Sequence, residues 1–299
     1  MEQTNKGTPH MDIRAVLAGL TFALMWSSAF TSARIIVTNA PPLTISAIRF
    51  LVAGIIAVSI ARALGQTWKL SAQQWRLTIL FGLCQNALYL GLNFIAMQTI
   101  EASLAAIIAS SLPLLVALAG WLIFGETVRP LGIIGLFAGI AGVILIMGTR
   151  LTQGVDLYGV ALCAIGALAL TFATLAVKGA SSGGNLIMVV GLQMLVGSAI
   201  LWVPALMFET WDVTWSPSVI AAFLYTIFVP GLAATLIWFW LVGRIGAIRA
   251  ATFHFLNPFF GVAIAALLLG EQIGALDIIG VVIITLGILA VQLSKARVT

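Results

Sequence analysis

Charge is what this sequence has least of. Asp, Glu, Lys and Arg make up 8% of its 299 residues, against about a quarter in a soluble domain. Histidine and cysteine are almost missing, with two of each. Their spacing matches no zinc-ligand pattern, and a single pair of cysteines makes no disulfide-stapled scaffold. Acids are scarce and badly placed for chemistry. Glu101, Glu126, Asp156, Glu271 and Asp277 all fall at the ends of apolar runs or in turns, and no Asp or Glu falls near the middle of one. This leaves no paired carboxylates for a metal or for general acid–base work. It also leaves no buried acid of the kind that exchanges a cationic drug for protons. No catalytic residue, metal site or cofactor is expected.

What fills the chain instead is apolar: 62% of residues are hydrophobic and the mean hydropathy is +1.16. Such a composition excludes a water-soluble enzyme, a nucleic-acid-binding module and a disordered protein. The partner it demands is a lipid bilayer. A net charge of +5 does not point to nucleic acid here, because the basic residues sit between apolar runs. Cys84 and Cys163 lie inside such runs and read as reduced packing residues.

Apolar runs fall near 13–37, 43–61, 74–97, 102–124, 131–149, 157–178, 186–207, 218–241, 248–269 and 276–294. Each is about as long as a spanning helix requires. Residues 1–12 form a polar N-terminal tail. The first run lacks a small-residue cleavage site, so it is expected to be a retained span. If the N-terminus is cytoplasmic, only Arg34, Arg49 and Arg150 of the 14 Lys and Arg fall in the outer half. The others, among them Lys178, Arg249, Lys295 and Arg297, fall inside. That bias predicts both termini in the cytoplasm.

The chain also repeats itself. Pro113 matches Pro258 at an offset of 145. At the same offset Ala102, Ala105 and Ala106 meet Ala247, Ala250 and Ala251. Gly125-Glu126 meets Gly270-Glu271, and Gly135 and Gly142 meet Gly280 and Gly287. The expected units are residues 13–149 and 157–294. Each has five spans, an odd number, so the second enters the membrane inverted. Inverted repeats are typical of secondary transporters, with a site at their interface.

Polar residues inside spans are the candidates for binding, because lipid does not tolerate them idly. Gln85, Tyr89 and Asn93 are spaced i, i+4, i+8 and form one stripe on the third helix. Either they line a cavity or they bond neighbouring helices. His254 and Asn257 stand beside Pro258, whose ring should free the His254 carbonyl. Ser110 stands beside Pro113. The two prolines are candidate hinges, or kinks that only allow close packing. Trp26 and Trp238 lie deep enough to stack on a substrate or simply to pack. Arg49 lies about 10 Å along its helix. It can snorkel outward, pair with helix carbonyls or hold a substrate carboxylate. Glycines such as Gly132, Gly135, Gly139 and Gly142 suit close helix approach. A monomer is expected, with a dimer as the alternative.

Several of these features together resemble the ten-helix, EamA-type branch of the drug/metabolite transporter superfamily. They are Trp26-Ser27-Ser28-Ala29-Phe30, Pro41-Pro42 followed by Arg49-Phe50, and small residues ahead of Pro113 and of the Gly125-Glu126 turn. The last pattern recurs at Pro258 and Gly270-Glu271. Within that branch the chain is most similar to YddG-type exporters of aromatic and other neutral amino acids. The resemblance implies an all-α membrane protein of ten transmembrane helices in two inverted five-helix repeats. Helices 1–4 and 6–9 would surround a central cavity, with 5 and 10 at the periphery. It further implies a bacterial inner membrane and alternating access. The binding set would be Trp26, Gln85, Tyr89, Asn93, Ser110, Trp238, His254 and Asn257, with hinges at Pro113 and Pro258. The alternatives are another small metabolite or drug as the solute, an intramembrane enzyme, and a passive scaffold without a cavity.

Overall fold

The computed structural model describes residues 13–123, 125, 127–176, 183–245 and 247–296. The expected tail 1–12, Glu126, Lys178 and Arg297 lie outside the described residues, as do the side chains of Arg249 and Lys295. Among the described residues there is no strand. Ten helices are long and apolar enough to cross a membrane: α1 (Ile13–Val37), α2 (Pro42–Ala63), α3 (Ala72–Ala96), α4 (Ala102–Leu122), α5 (Pro130–Thr152), α6 (Leu157–Ala176), α7 (Leu186–Phe208), α8 (Pro217–Ile245), α9 (Ala250–Leu269) and α10 (Ala275–Ser294). The expected all-α membrane fold of ten spans is what the chain adopts. Below, the end of the bundle where α1 begins is proximal, and the end where it finishes is distal.

Local sequence sets the helix limits. Pro42, Pro130 and Pro217 open α2, α5 and α8, where a missing N–H costs nothing. Ser71 and Gln74 cap α3 reciprocally, at 3.2 and 2.9 Å. Gly270 ends α9 in the left-handed region at φ +69°, which favours glycine.

Three of the helices are irregular inside. Residues 82–90 of α3 and 227–233 of α8 are π-helical, and these segments begin at equivalent positions under the 145-residue offset. In α8 the cause is Pro230, whose ring would clash with the carbonyl four residues back unless the turn widens. In α9, residues 253–256 tighten into a 3-10 turn ahead of Pro258. The His254 carbonyl, expected to be free, accepts from the Asn257 N–H. The tighter turn supplies that donor three residues on. The fourth helix, α4, breaks at Ser111, just before Pro113.

Lipid supplies no hydrophobic drive between helices, so close packing must hold them. Three pairs of helices at corresponding places in the two halves pack antiparallel. In α5 and α10, Gly135 faces the Gly287 carbonyl while Gly142 faces that of Gly280. In α2 and α7, Gly54 approaches the Gly191 carbonyl, and Ser198 donates to the Ala47 carbonyl at 2.7 Å. In α4 and α9, Gly261 lies against Ala106.

The distal end is tied by charge. Arg150 reaches Glu101 at 2.6 Å and Asp277 at 3.0 Å. Glu209 accepts from the Leu43 and Thr44 N–H groups at 2.8 and 2.7 Å. Glu271 accepts from those of Ala102 and Ser103 at 2.7 and 2.9 Å. Both carboxylates sit where a helix N-terminus presents unpaired donors and positive dipole. Arg34 donates to the Met97 carbonyl. In the 153–156 connection, Asp156 accepts from Thr99 and from the Tyr158 and Gly159 N–H groups. The Thr99 hydroxyl, chiefly, holds its carboxyl below the usual value. This stabilising effect is present above the ordinary Asp value and fades as pH falls through the lowered one. Thr99→Ala should therefore flatten the acid limb of the protein's pH–stability curve, as read by melts in detergent at stepped pH.

Candidate functional site

A cavity with about 760 Å³ of empty space, the open solvent at its mouth included, lies between α1, α2, α3, α7 and α8. Helices α4, α6 and α9, expected to line it too, do not. Pairing explains this: α4 and α9 pack on each other, and Gly166 of α6 lies against the Tyr89 backbone behind α3.

Four of the eight candidate binding residues line the cavity: Trp26, Gln85, Tyr89 and Asn93. The polar stripe on α3 thus faces one space, and the π-helical turn carries four of the cavity's lining residues, Gln85, Asn86, Tyr89 and Leu90. Across the cavity the other π-helical segment and its C-terminal edge contribute Ile227, Pro230, Gly231 and Thr235. Gln85, Asn86 and Leu90 correspond to Pro230, Gly231 and Thr235 under the same offset. The two halves therefore supply matching positions with different chemistry. Pro230 alone signals such a segment in the sequence; nothing in α3 does.

The polar groups there are not equally free. The Gln85 amide and the Tyr89 hydroxyl have no hydrogen bond to a described residue. Asn93 is engaged: its Nδ2 donates to the Tyr89 carbonyl at 2.7 Å and its Oδ1 accepts from Cys163 at 3.2 Å. Asn86 donates to the Gln193 carbonyl at 2.9 Å. Among the described residues the lining contains no carboxylate.

The other four candidates stand elsewhere. Trp238 and His254 join Phe22 and Trp26 in one aromatic cluster. Phe22 lies 4.9 Å from Trp238 and 5.2 Å from His254, and the Trp238 and His254 rings meet edge-on at 5.0 Å. Trp26 is the member that touches the cavity, 5.7 Å from Phe22. The cluster thus joins α1, α8 and α9 at the cavity's proximal side. Asn257 accepts from Ser27 at 3.4 Å. The Ser110 hydroxyl donates to the Ala106 carbonyl at 2.7 Å, the usual way for a serine to settle in an apolar helix.

Arg49 lines the cavity as well. Its guanidinium lies 4.3 Å from the Phe50 ring centre and 4.5 Å from that of Phe94. Its Nε and Nη2 are buried with no hydrogen-bond partner. At the distal side the walls are sealed: Ala33, Phe94 and Met97 are 1–2% exposed. Trp26, Gln85, Gly231 and Thr235, farther from that end, are half-buried. Among the described residues no His, Cys, Asp and Glu group could hold a metal ion.

Comparison with known proteins places this architecture. A family model described as the EamA-like transporter family matches residues 13–148 and again 157–293. The uncharacterized transporter YvbV of Bacillus subtilis (strain 168) is 27% identical, over 95% of this chain and 93% of its own. The uncharacterized inner membrane transporter YedA of Escherichia coli (strain K12) is also 27% identical, over 93% and 91%. The aromatic amino acid exporter YddG of Ancylobacter novellus is 28% identical over less, 46% of this chain and 47% of its own. One solved crystal structure superposes with a TM-score of 0.68 over 96% of this chain and 99% of that one, at 20% identity, and so speaks for the fold alone. Matched on both of its halves by one family model, this ten-helix membrane protein belongs to the EamA-like transporter family and is a transporter, not an enzyme.

Proposed function

We propose that the protein exports neutral, aromatic amino acids across a bacterial inner membrane by alternating access between two inverted repeats. One observation carries the substrate reading: the cavity offers Trp26, Gln85 and Tyr89 as unspent apolar and polar contacts and presents no acid. A cationic drug would be left without a counter-charge there, whereas a zwitterion brings its own. The partial match to an aromatic amino acid exporter supports the same class. For the mechanism, the antiparallel pairing of corresponding helices supports an inverted repeat. With both termini cytoplasmic, the distal end is the outer one. The sealed distal wall then corresponds to an inward-facing state.

The test is reconstitution into liposomes with efflux of labelled phenylalanine and threonine, with and without a proton gradient. Saturable, protein-dependent flux is expected, greater for phenylalanine. No flux of either from sealed, loaded vesicles would move the substrate to another solute class, found by competition with a metabolite and drug panel. The hinge role of Pro113 and Pro258 has its own test. Replacing both by alanine would favour continuous α4 and α9. A bias of 1.4 kcal/mol toward one state slows the cycle about tenfold. Unchanged flux would remove the prolines from the mechanism.

A further inference from the structure

Arg49 is a cation in lipid surroundings with nothing to answer its charge. It is 7% exposed, and two of its donors meet no acceptor. A buried, unpaired guanidinium carries a large desolvation cost. The two phenyl rings beside it offset only part of that. Every other described cation within a span either has an answer or, like Arg76 at the start of α3, is exposed to its surroundings. Arg150 holds two carboxylates, Arg34 a carbonyl, and Arg62 lies over Trp68 near a helix end. The described acids are spent too. Glu101 and Asp277 bind Arg150, Glu209 and Glu271 cap helices, Asp156 holds Thr99, and Asp212 is exposed in the 209–216 connection. No described side chain is left to pair with Arg49.

The two open donors are also a matched set. Nε and Nη2 lie on one edge of the guanidinium and point the same way, the fork that takes both oxygens of a carboxylate. Phe50 and Phe94 hold that plane, so the fork is oriented before a ligand arrives. The residue lies on the wall of the same cavity as Trp26, Gln85 and Tyr89.

We infer that Arg49 is the anchor for the substrate's carboxylate, and that the transporter selects carboxylates as a class. The inference rests on reading this cavity as the transport site. Among the described residues no lining acid meets an ammonium group, so the amino group adds little to selection. Amine-free acids of the same shape, such as phenyllactate, therefore bind alongside phenylalanine. Phenylalaninamide and phenethylamine, which keep the ring and the cation but lack the carboxylate, are rejected.

The experiment measures ligand-induced stabilisation of the purified protein in detergent, and competition against phenylalanine efflux from liposomes. The ligands are phenylalanine, phenyllactate, phenylalaninamide and phenethylamine. Loss of a charge-assisted fork is expected to separate acids from amide and amine by about thirtyfold or more. In Arg49→Gln that separation collapses because the acids weaken, not because the amide improves. Arg49→Lys keeps the buried charge, and with it the fold, but loses the fork. It is expected to weaken the acids about tenfold and leave the amide unchanged. Wild-type protein that binds amide and acid alike overturns the inference, as does a folded Arg49→Lys variant with unaltered discrimination. The two readings fail separately. Arg49-dependent binding of phenyllactate without amino-acid flux keeps the anchor and ends the amino-acid reading. Equal flux of phenylalanine and its amide does the reverse.

Discussion

Gly287→Leu should leave helices α5 and α10 unable to close on each other. A methyl group alone at 287 would stand 2.6 Å from the Gly135 carbonyl oxygen, 2.7 Å from the Gly139 nitrogen and 2.8 Å from its α-carbon. All three are backbone atoms, so no rotamer change makes room. Helices α5 and α10 would have to separate along their length, losing the approaches at Gly142 and Gly280 as well. Overpacking typically costs about 1–3 kcal/mol. A backbone-to-backbone contact sits at the upper end, so about 3 kcal/mol is expected. The melting midpoint in detergent should fall by about 6–10 °C, or the protein should fail to leave the membrane monodisperse. Gly148→Ala is the control on α5. That glycine is exposed and has nothing within 4 Å of a built β-carbon. Alanine there should raise stability by up to about 1 kcal/mol through helix propensity. If both substitutions lower the midpoint alike, close packing is not what holds α5 to α10.

The ten spans were legible because lipid imposes one rule, long apolar runs between short polar breaks, and this chain obeys it throughout. The α3 stripe was legible for a related reason. Gln85, Tyr89 and Asn93 recur at helical spacing, and a polar face in lipid must meet a cavity or a neighbour. The structure gives them both. All three line the cavity, while Asn93 also bonds its own helix and Cys163. His254, Trp238, Asn257 and Ser110 were harder to place. Their positions along a helix are plain, but the direction each faces depends on how α4, α8 and α9 turn at Pro113, Pro230 and Pro258. The carboxylate caps were invisible for another reason. Glu209 and Glu271 are far along the chain from the helix ends they cap, and no local pattern joins Glu271 to Ala102. Their shared side of the membrane was readable, but not their partners.

The same limit hid the Arg150 cluster, and it yields the second large effect. Arg150→Met should destabilise the protein more than any other single change of charge. It removes the one cation between Glu101 and Asp277, whose side chains are 38% and 8% exposed. Breaking a buried ion pair from one side costs about 3–5 kcal/mol, because the remaining charge is stranded. Glu101 can reach water, so about 3 kcal/mol is expected, nearly all of it from Asp277. The triple variant Arg150→Met, Glu101→Gln, Asp277→Asn strands no charge and should recover most of the loss. Melts of the four proteins with Arg150→Met, Asp277→Asn, both, and all three changes separate these contributions. If the triple variant melts no higher than Arg150→Met alone, the cluster matters through its hydrogen bonds and not its charge balance. The distinction bears on transport. The cluster ties the start of α4 to the end of α5 and the start of α10, beside the N–H groups that Glu271 caps. Under the proposed alternating access, opening the distal end would pull on those ties. A charge-balanced triple variant that is stable but loosely tied should reach the distal-open state more readily. Cysteine labelling at Tyr89→Cys from the distal side should then be faster in the triple variant than in its parent.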